Sequence, residues 1–489
     1  MDASHVTRHD LWIDGAWRPP TTGEWAEATS PSSGEVIAKV AVGSVADVDR
    51  AVTAAAKAVT AWATASAFER AGACEAIARA IVDQREALAW ALSEDQGKPL
   101  VAEAYDEVDE LAEQFRQAAA DATRLVGVLP PSRDPARRVL VQRVPIGVVG
   151  VVSPWNWPYA MAGELLAPAI AAGNTTVWVP APTSSACSAV LGGLVGEALP
   201  PGVLNLVTGP GPVVGDALVA HPGVAGVGFV GSVATGRGVA TRAAGKRQVL
   251  ELGGNGPFIV LEDAQLDLVV PAVLEAAYLC AGQSCTAGEL FVVHRSRRNE
   301  LVEAVAAATD ARVRLGDPFE ATTTMGPMNN DAVVAKVAAQ VDEAVARGAR
   351  LVRGGGRRAA APTPLYYEAT ILDGVTSAMV IAREETFGPV VPVMEVASDE
   401  EALEVTCRSG FGLTVAVFSG DLDRALRFAE AVPAGWVNVN ATTNLWEAHL
   451  PFGGRAGTTS GIGRVGGASV LEAFSEPKTV TFPLGRRGR

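Results

Sequence analysis

Between residues 146 and 252 short apolar runs alternate, without a break, with segments of helical spacing, and few architectures accept that pattern. The runs are 146–152, 175–179, 203–207, 226–230 and 248–252, and the helical segments are 160–172, 184–198, 212–220 and 234–244. A run that is apolar throughout reads as a strand covered on both faces, and such strands joined through helices make a parallel sheet. The expected product is a doubly wound α/β layer that binds ligands beyond the carboxyl ends of its strands. The alternation restarts at 258–261 and runs through a helix from 268 to about 279, strand 290–294, helix 298–308, helix 332–347 and strands near 351, 368–372, 390–395, 415–419 and 436–440. A second α/β domain is expected there.

Upstream, residues 45–123 are rich in Ala, Glu, Arg and Leu at helical spacing and predict a helical layer, with Glu107 and Arg116 on its solvated face. Residues 11–17 alternate about Asp14–Gly15 as a hairpin, and 36–42 reads as a strand after a turn at 31–34. Residues 127–144 read as a ribbon, equally suited to a surface hairpin or an oligomer contact. A length of 489 residues asks for two to four domains.

With 54 acidic against 40 basic residues, a formal charge of −14 argues against a nucleic-acid partner. Cys74, Cys187, Cys280, Cys285 and Cys407 are scattered without a CxxC pair, so neither a disulfide framework nor a zinc site is expected. His5 and His9, four apart in a polar segment, do not read as metal ligands, and no metal is expected. Residues 1–14 lack a signal sequence and no apolar run reaches the ~18 residues of a membrane span, so a cytoplasmic protein is expected. The Arg/Gly-rich 485–489 reads as frayed.

Two short stretches carry chemistry. Leu250–Glu251–Leu252–Gly253–Gly254 offers a carboxylate beside two glycines, and 34 positions after Glu251 comes Cys285 in Gly282–Gln283–Ser284–Cys285–Thr286. They read as base and nucleophile: a Cys attacks as thiolate, and a Glu nearby can deprotonate the thiol or a water. A packed Cys and a solvated Glu is the ordinary alternative for either residue alone. The turn Ser153–Pro154–Trp155–Asn156–Trp157–Pro158, stiffened by two prolines and two tryptophans, can fix the Asn156 amide as an oxyanion donor. Gly231–Ser232, where a strand meets a helix, can face a phosphate, whereas Gly209–Pro–Gly211 and Gly215 match the dinucleotide fingerprint imperfectly.

Taken together, Pro154–Trp155–Asn156–Trp157–Pro158, Phe229–Val230–Gly231–Ser232, the Glu251 and Cys285 motifs, Glu384–Glu385–Thr386–Phe387–Gly388–Pro389 and Pro451–Phe452–Gly453–Gly454 resemble the NAD(P)-dependent aldehyde dehydrogenase superfamily over nearly the whole chain. The resemblance implies an α/β fold with a Rossmann-type cofactor domain (1–123 and 146–253), an α/β catalytic domain (254–453) and a small β oligomerisation element (124–145 and 470–489). It implies Cys285 as nucleophile, Glu251 as base and Asn156 as oxyanion donor, with Cys280 structural. NAD or NADP would lie along Ser153, Pro154, Trp155, Val179, Gly211, Phe229, Gly231, Ser232, Leu252, Gly253, Glu385 and Phe387. Trp157, Tyr159, Met161, Glu164, Ser284, Thr286 and Phe452 occupy the family's pocket positions and suggest an aromatic or medium aliphatic aldehyde.

An acidic semialdehyde anchored by Arg116 or Arg455 is the alternative substrate. Glu164, where many relatives carry an aromatic residue, would pair with a polar substrate tail or with a neighbouring Arg. Two further readings are a coenzyme A-acylating enzyme and an inactive structural relative. The family's usual Lys and Glu at the adenosine ribose are Val179 and Pro182 here, which leaves NAD and NADP both open. The resemblance also implies a homodimer or homotetramer.

Overall fold

The computed structural model describes residues 6–484, so His5 and 485–489 lie outside the described residues. Val148–Ser153, Thr175–Pro180, Leu204–Leu206, Gly226–Gly231 and Arg247–Leu252 form the parallel centre of an eight-stranded sheet. Its edges are antiparallel. The hairpin Leu11–Ile13 and Ala16–Arg18 flanks Leu204–Leu206, and the short strand Gly461–Ile462 flanks Arg247–Leu252. In chain order the sheet grows from Val148–Ser153 to Leu204–Leu206, and then Gly226–Gly231 is laid on the other side of the starting strand. The order therefore reverses between Val148–Ser153 and Gly226–Gly231, which is where a crevice opens beyond the strand ends. The residues delivered to it are Pro154–Trp155–Asn156 and Ser232.

Six strands of a second sheet are parallel: Thr370–Asp373, Val390–Val396, Leu290–His294, Pro257–Val260, Thr414–Phe418 and Trp436–Val439, with Arg350–Arg353 antiparallel at the edge. The helices Asp399–Arg408 and Leu422–Ala431 between its later strands escaped the sequence reading. Both carry a start signal, since Ser398 accepts from the Glu401 N–H and Asp421 from the Arg424 N–H. The 127–144 ribbon also finds a partner within the chain: Arg137–Pro145 pairs along its whole length with Ser475–Pro483.

The helical layer comprises Val45–Thr64, Ala67–Asp83, Arg85–Gln96 and Tyr105–Ala122, the first two opened by capping boxes at Ser44 and Ser66. One expectation about it fails. Arg116 lies at the surface beside Glu113, but Glu107 is completely buried. The helix Ala160–Ala171 begins without a side-chain cap of its own, and its first turn takes the Glu107 carboxylate instead. Oε1 of Glu107 accepts from the N–H groups of Tyr159 (2.9 Å) and Ala160 (3.1 Å), and Oε2 accepts from Lys98 Nζ at 2.5 Å.

An anion at a helix start is favoured by the orphan donors and by the helix dipole. Burial draws the Lys98 ammonium down, yet the neighbouring Cys280, Glu107 and Glu103 outweigh burial and leave it above its ordinary value. Lys98 Nζ also lies 3.1 Å from the centroid of the Trp157 ring. The pair thus ties the helical layer to the turn that carries Asn156. Glu107→Ala, which strands a buried ammonium, is expected to cost about 3–5 kcal/mol of stability and to lower the melting temperature by several degrees in calorimetry.

Candidate active site

The helix Leu266–Tyr278 delivers Cys285 through a sharp turn in which Cys280, Ala281 and Gly282 have φ of 54°, 52° and 72°. Left-handed backbone at two non-glycine residues stores strain that the surroundings must over-determine. Here Glu103 Oε1 accepts from the Cys280 N–H (3.0 Å), and the Cys280 thiol donates to the Asn156 carbonyl (3.4 Å). Asn156 Nδ2 donates to the Gln283 carbonyl (2.9 Å), and Gln283 Nε2 donates to the Cys280 carbonyl (2.9 Å). At Gly282 a Cβ would lie 2.2 Å from the Gly388 carbonyl oxygen, so only glycine fits. The two loops bearing Asn156 and Cys285 are therefore bonded to each other before any ligand arrives.

Cys285 stands where two cavities meet. The larger, about 430 Å³, is lined by Trp157, Met161, Glu164, Ser284, Thr286 and Phe452 of the expected pocket residues. The smaller, about 190 Å³, is lined by Pro154, Trp155, Asn156, Gly231, Ser232, Glu251, Gly253, Glu385 and Phe387. Glu251 is buried and neither of its oxygens has a hydrogen-bond partner. Burial pushes its carboxyl up to about 8; the facing thiol opposes the rise and Glu385 adds to it. The Cys285 thiol is in turn driven well above its ordinary range, by burial first and then by Glu251. Both shifts favour the proton-bearing forms, so Cys285 stands as a candidate nucleophile facing its candidate base.

The smaller cavity is lined by groups of the kind that could hold a nicotinamide riboside. Trp155 and Phe387 stand edge to face, centroids 5.6 Å apart at 84°, as aromatic walls. Gly253 gives a wall of bare backbone, where a Cβ would fall 2.3 Å from Glu385 Oε1. Glu385 and Lys336 offer an acceptor and donors for ribose hydroxyls. Phe387 itself has φ of 60°, and its turn is fixed by Glu289, whose carboxylate accepts from the N–H groups of Thr386 (2.6 Å) and Phe387 (2.7 Å).

Several expected residues fall elsewhere. Tyr159 is fully buried and its hydroxyl donates to the Cys187 carbonyl (3.3 Å). The reason is helical phase: Trp157, Met161 and Glu164 are spaced i, i+4, i+7 on the face towards the cavity, and Tyr159 is on the other face. Val179, Phe229 and Leu252 pack into the apolar layer beneath the sheet, and neither cavity is lined by them. The Ser153 hydroxyl accepts from Trp178 Nε1 (2.8 Å), and Gly211 opens the turn Gly211–Gly215 outside both cavities. Ser232 does line the smaller cavity, and its hydroxyl also caps its helix by accepting from the Thr235 N–H. Glu164 meets no Arg; it is 4% exposed and its Oε2 has no partner. Arg116 and Arg455 are exposed and line neither cavity.

The sequence reading missed Glu289, Lys336, Asn444 and Trp446, and with them Glu103, Asp106 and Glu110, which line the larger cavity. Glu103, Asp106, Glu107 and Glu110 do share a spacing of i, i+3, i+4, i+7, a signal that one face of the segment does one job.

The chain matches the model of the "Aldehyde dehydrogenase family" over residues 17–480. It is 36% identical over 478 residues to a 3-sulfolactaldehyde dehydrogenase of Pseudomonas putida, covering 97% of each chain. Among solved structures it superposes with TM-score 0.94 on a betaine aldehyde dehydrogenase of Staphylococcus aureus in complex with NAD+, at 32% identity over 99% of this chain and 96% of that one. An NADP-dependent enzyme of E. coli superposes equally well, with TM-score 0.94 and 32% identity over 99% and 100% of the two chains. With a cysteine between two cavities, a buried carboxyl facing it and this likeness over its whole length, the chain belongs to the aldehyde dehydrogenase family.

Proposed function

We propose that the protein oxidises an aldehyde with NAD+ or NADP+ and water to the carboxylic acid, the reduced cofactor and protons. The observation that carries the reading is the position of Cys285 at the junction of two cavities, with Asn156 and Glu251 beside it. As the Cys285 sulfur bonds to the aldehyde carbon, Glu251 takes the thiol proton. The oxyanion so formed accepts from the Asn156 amide, already oriented by Gln283, and from the Cys285 N–H. Bound NAD(P)+ supplies the hydride acceptor for the carbon held on Cys285, with Trp155, Glu385 and Phe387 orienting its nicotinamide end. In the second half Glu251, having passed the thiol proton to solvent, takes a proton from water as that water adds to the thioester, and the C–S bond breaks with Cys285 leaving as thiolate to release the acid.

Hydrolysis rather than transfer to coenzyme A is supported by Glu251, whose unpartnered oxygens suit a base that must meet a water. The aromatic and apolar walls at Trp157, Met161, Trp446 and Phe452 favour a substrate with an apolar body over an acidic semialdehyde, for which the cavity offers no Lys or Arg. Cofactor binding is assigned to 1–123 and 146–253 and substrate chemistry to 254–453. Assembly into a homodimer or homotetramer through 124–145 and 470–489 is supported by the exposed Val126, Val128, Leu129 and Phe482 on the paired strands and the segment leading to them. No helix among the described residues is long and apolar enough to cross a membrane, which suits the cytoplasmic reading.

Cys285→Ala is expected to bind cofactor and make no acid. Glu251→Gln should give a slowed burst of reduced cofactor, because the thiol loses its base, and then stall, as followed at 340 nm in a stopped-flow; turnover at the wild-type rate would refute the assignment of the base. Because Glu251 acts deprotonated and its carboxyl lies at about 8, steady-state acid formation should rise about tenfold per pH unit below that value and level off above it. Asn156→Ala should lower kcat by about 10²–10³ in the same assay.

A further inference from the structure

We infer that the aldehyde carries a positively charged ammonium group at the end remote from its carbonyl. This rests on the reading that Cys285 attacks an aldehyde, and it names the class of that aldehyde. Six carboxyl groups line the larger cavity, those of Glu103, Asp106, Glu107, Glu110, Glu164 and Glu275, and no Lys, Arg or His lines it. Lys98 is the cation that approaches it, and this residue is completely buried, lies against the Trp157 ring and is bonded to Glu107. Its single charge is bonded to Glu107 and shared electrostatically with Glu103 and Glu110, one cation against six carboxyl groups, of which Asp106 and Glu275 are exposed.

A row of acidic side chains would ordinarily be a solvated helix face. Here two of the six are buried with an oxygen unpaired: Glu164 is 4% exposed and Glu103 3%, and Oε2 of each has no hydrogen-bond partner. A buried oxygen left without a donor is costly, and folded proteins keep few of them. Glu164 stands on the cavity-facing side of its helix, in phase with Trp157 and Met161. Burial drives its carboxyl well above the usual range, with Glu110 and Glu251 adding to it, and Glu110 is itself pushed up to about 8 by burial and Glu107. A cation in the cavity is what would return these groups to their charged form.

The rest of the lining suits an organic cation better than a metal. Among the described residues no group of three or more His, Cys, Asp or Glu is arranged to hold a metal ion. The carboxyl groups instead come from three segments, 103–110, Glu164 and Glu275, and share the lining with Trp446 and Phe452, whose rings are 5.8 Å apart at 47°. Aromatic faces with diffuse negative charge attract an ammonium group. An anionic tail would meet a cavity whose ionisable lining is all carboxyl, and a neutral tail would leave the Glu164 and Glu103 oxygens as they are.

The test compares isosteres that differ in charge. Initial rates with saturating NAD+ or NADP+ are measured for trimethylammonioacetaldehyde against 3,3-dimethylbutanal, and for 3-aminopropanal against butanal. In at least one pair the charged member is expected to have a kcat/KM at least about tenfold higher, and the pair that shows it identifies the ammonium as quaternary or primary. In Glu110→Gln and Glu164→Gln that charged-to-neutral ratio should fall by about tenfold. In parallel, the fluorescence of Trp157 and Trp446 in Cys285→Ala reports binding of choline against its neutral isostere 3,3-dimethylbutan-1-ol. Neutral aldehydes turning over as well as charged ones, with choline binding no tighter than the alcohol, overturns the inference and leaves the dehydrogenase reading intact. Tighter choline binding without reduction of either cofactor by any aldehyde supports the cationic site and overturns the dehydrogenase reading.

Discussion

The contact between Glu107 and Lys98 couples two parts of the molecule that the sheet alone would leave independent. The doubly wound sheet fixes where Val148–Ser153 ends, but the direction of the turn that follows depends on what receives the first N–H groups of Ala160–Ala171. A carboxylate from the helical layer receives them, and the ammonium that balances it lies under the Trp157 ring. The charge cost of burying this pair is met only because each partner is bonded to the other and Glu107 also accepts two backbone donors. Asn156 and Trp157 inherit their positions from that arrangement. Cys280 and Gln283 then transmit it to the loop that carries Cys285.

The sheets were legible because a buried parallel strand leaves a mark at every position of its sequence, as 148–152 and 226–230 do. Helices such as Asp399–Arg408 left a weaker mark, a Ser or Asp three residues before a backbone donor, which matters only once the chain is already turning there. At the site, residue type made Cys285, Glu251 and Asn156 candidates and the family resemblance gave them roles; the fold brings the three to one cavity. Phase was not legible at the entry to Ala160–Ala171, and so Tyr159 was assigned to the wrong face. Glu289 and Glu103 were invisible for another reason: each is defined by the backbone groups it receives, 97 and 177 residues away, and no local pattern encodes such a partner.

Glu107 and its neighbours on the same helix show how one spacing can serve two purposes. The i, i+3, i+4, i+7 row of acids resembles any solvated face. Packing buries Glu103 and Glu107 against Lys98 and leaves Glu110 half-buried and Asp106 exposed, so part of the lining of the larger cavity is built from residues that composition would assign to water. The lining of the cavity thus combines two kinds of group, carboxyls and the aromatic rings of Trp157, Trp446 and Phe452.

The pairing of Arg137–Pro145 with Ser475–Pro483 also bears on how the chain is made. Pro145 and Ser475 face each other in register, so the innermost partners are about 330 positions apart in the sequence. During synthesis at roughly 5–20 residues per second, the first strand waits on the order of half a minute with its backbone edge unpaired. Its next neighbours at the surface are apolar, Val126, Val128 and Leu129 among them, and an open strand edge beside apolar residues is a template for pairing with another chain. The nascent protein is therefore most open to misassembly with its own copies late in translation, when the two sheets have their strands but the ribbon still lacks its second half.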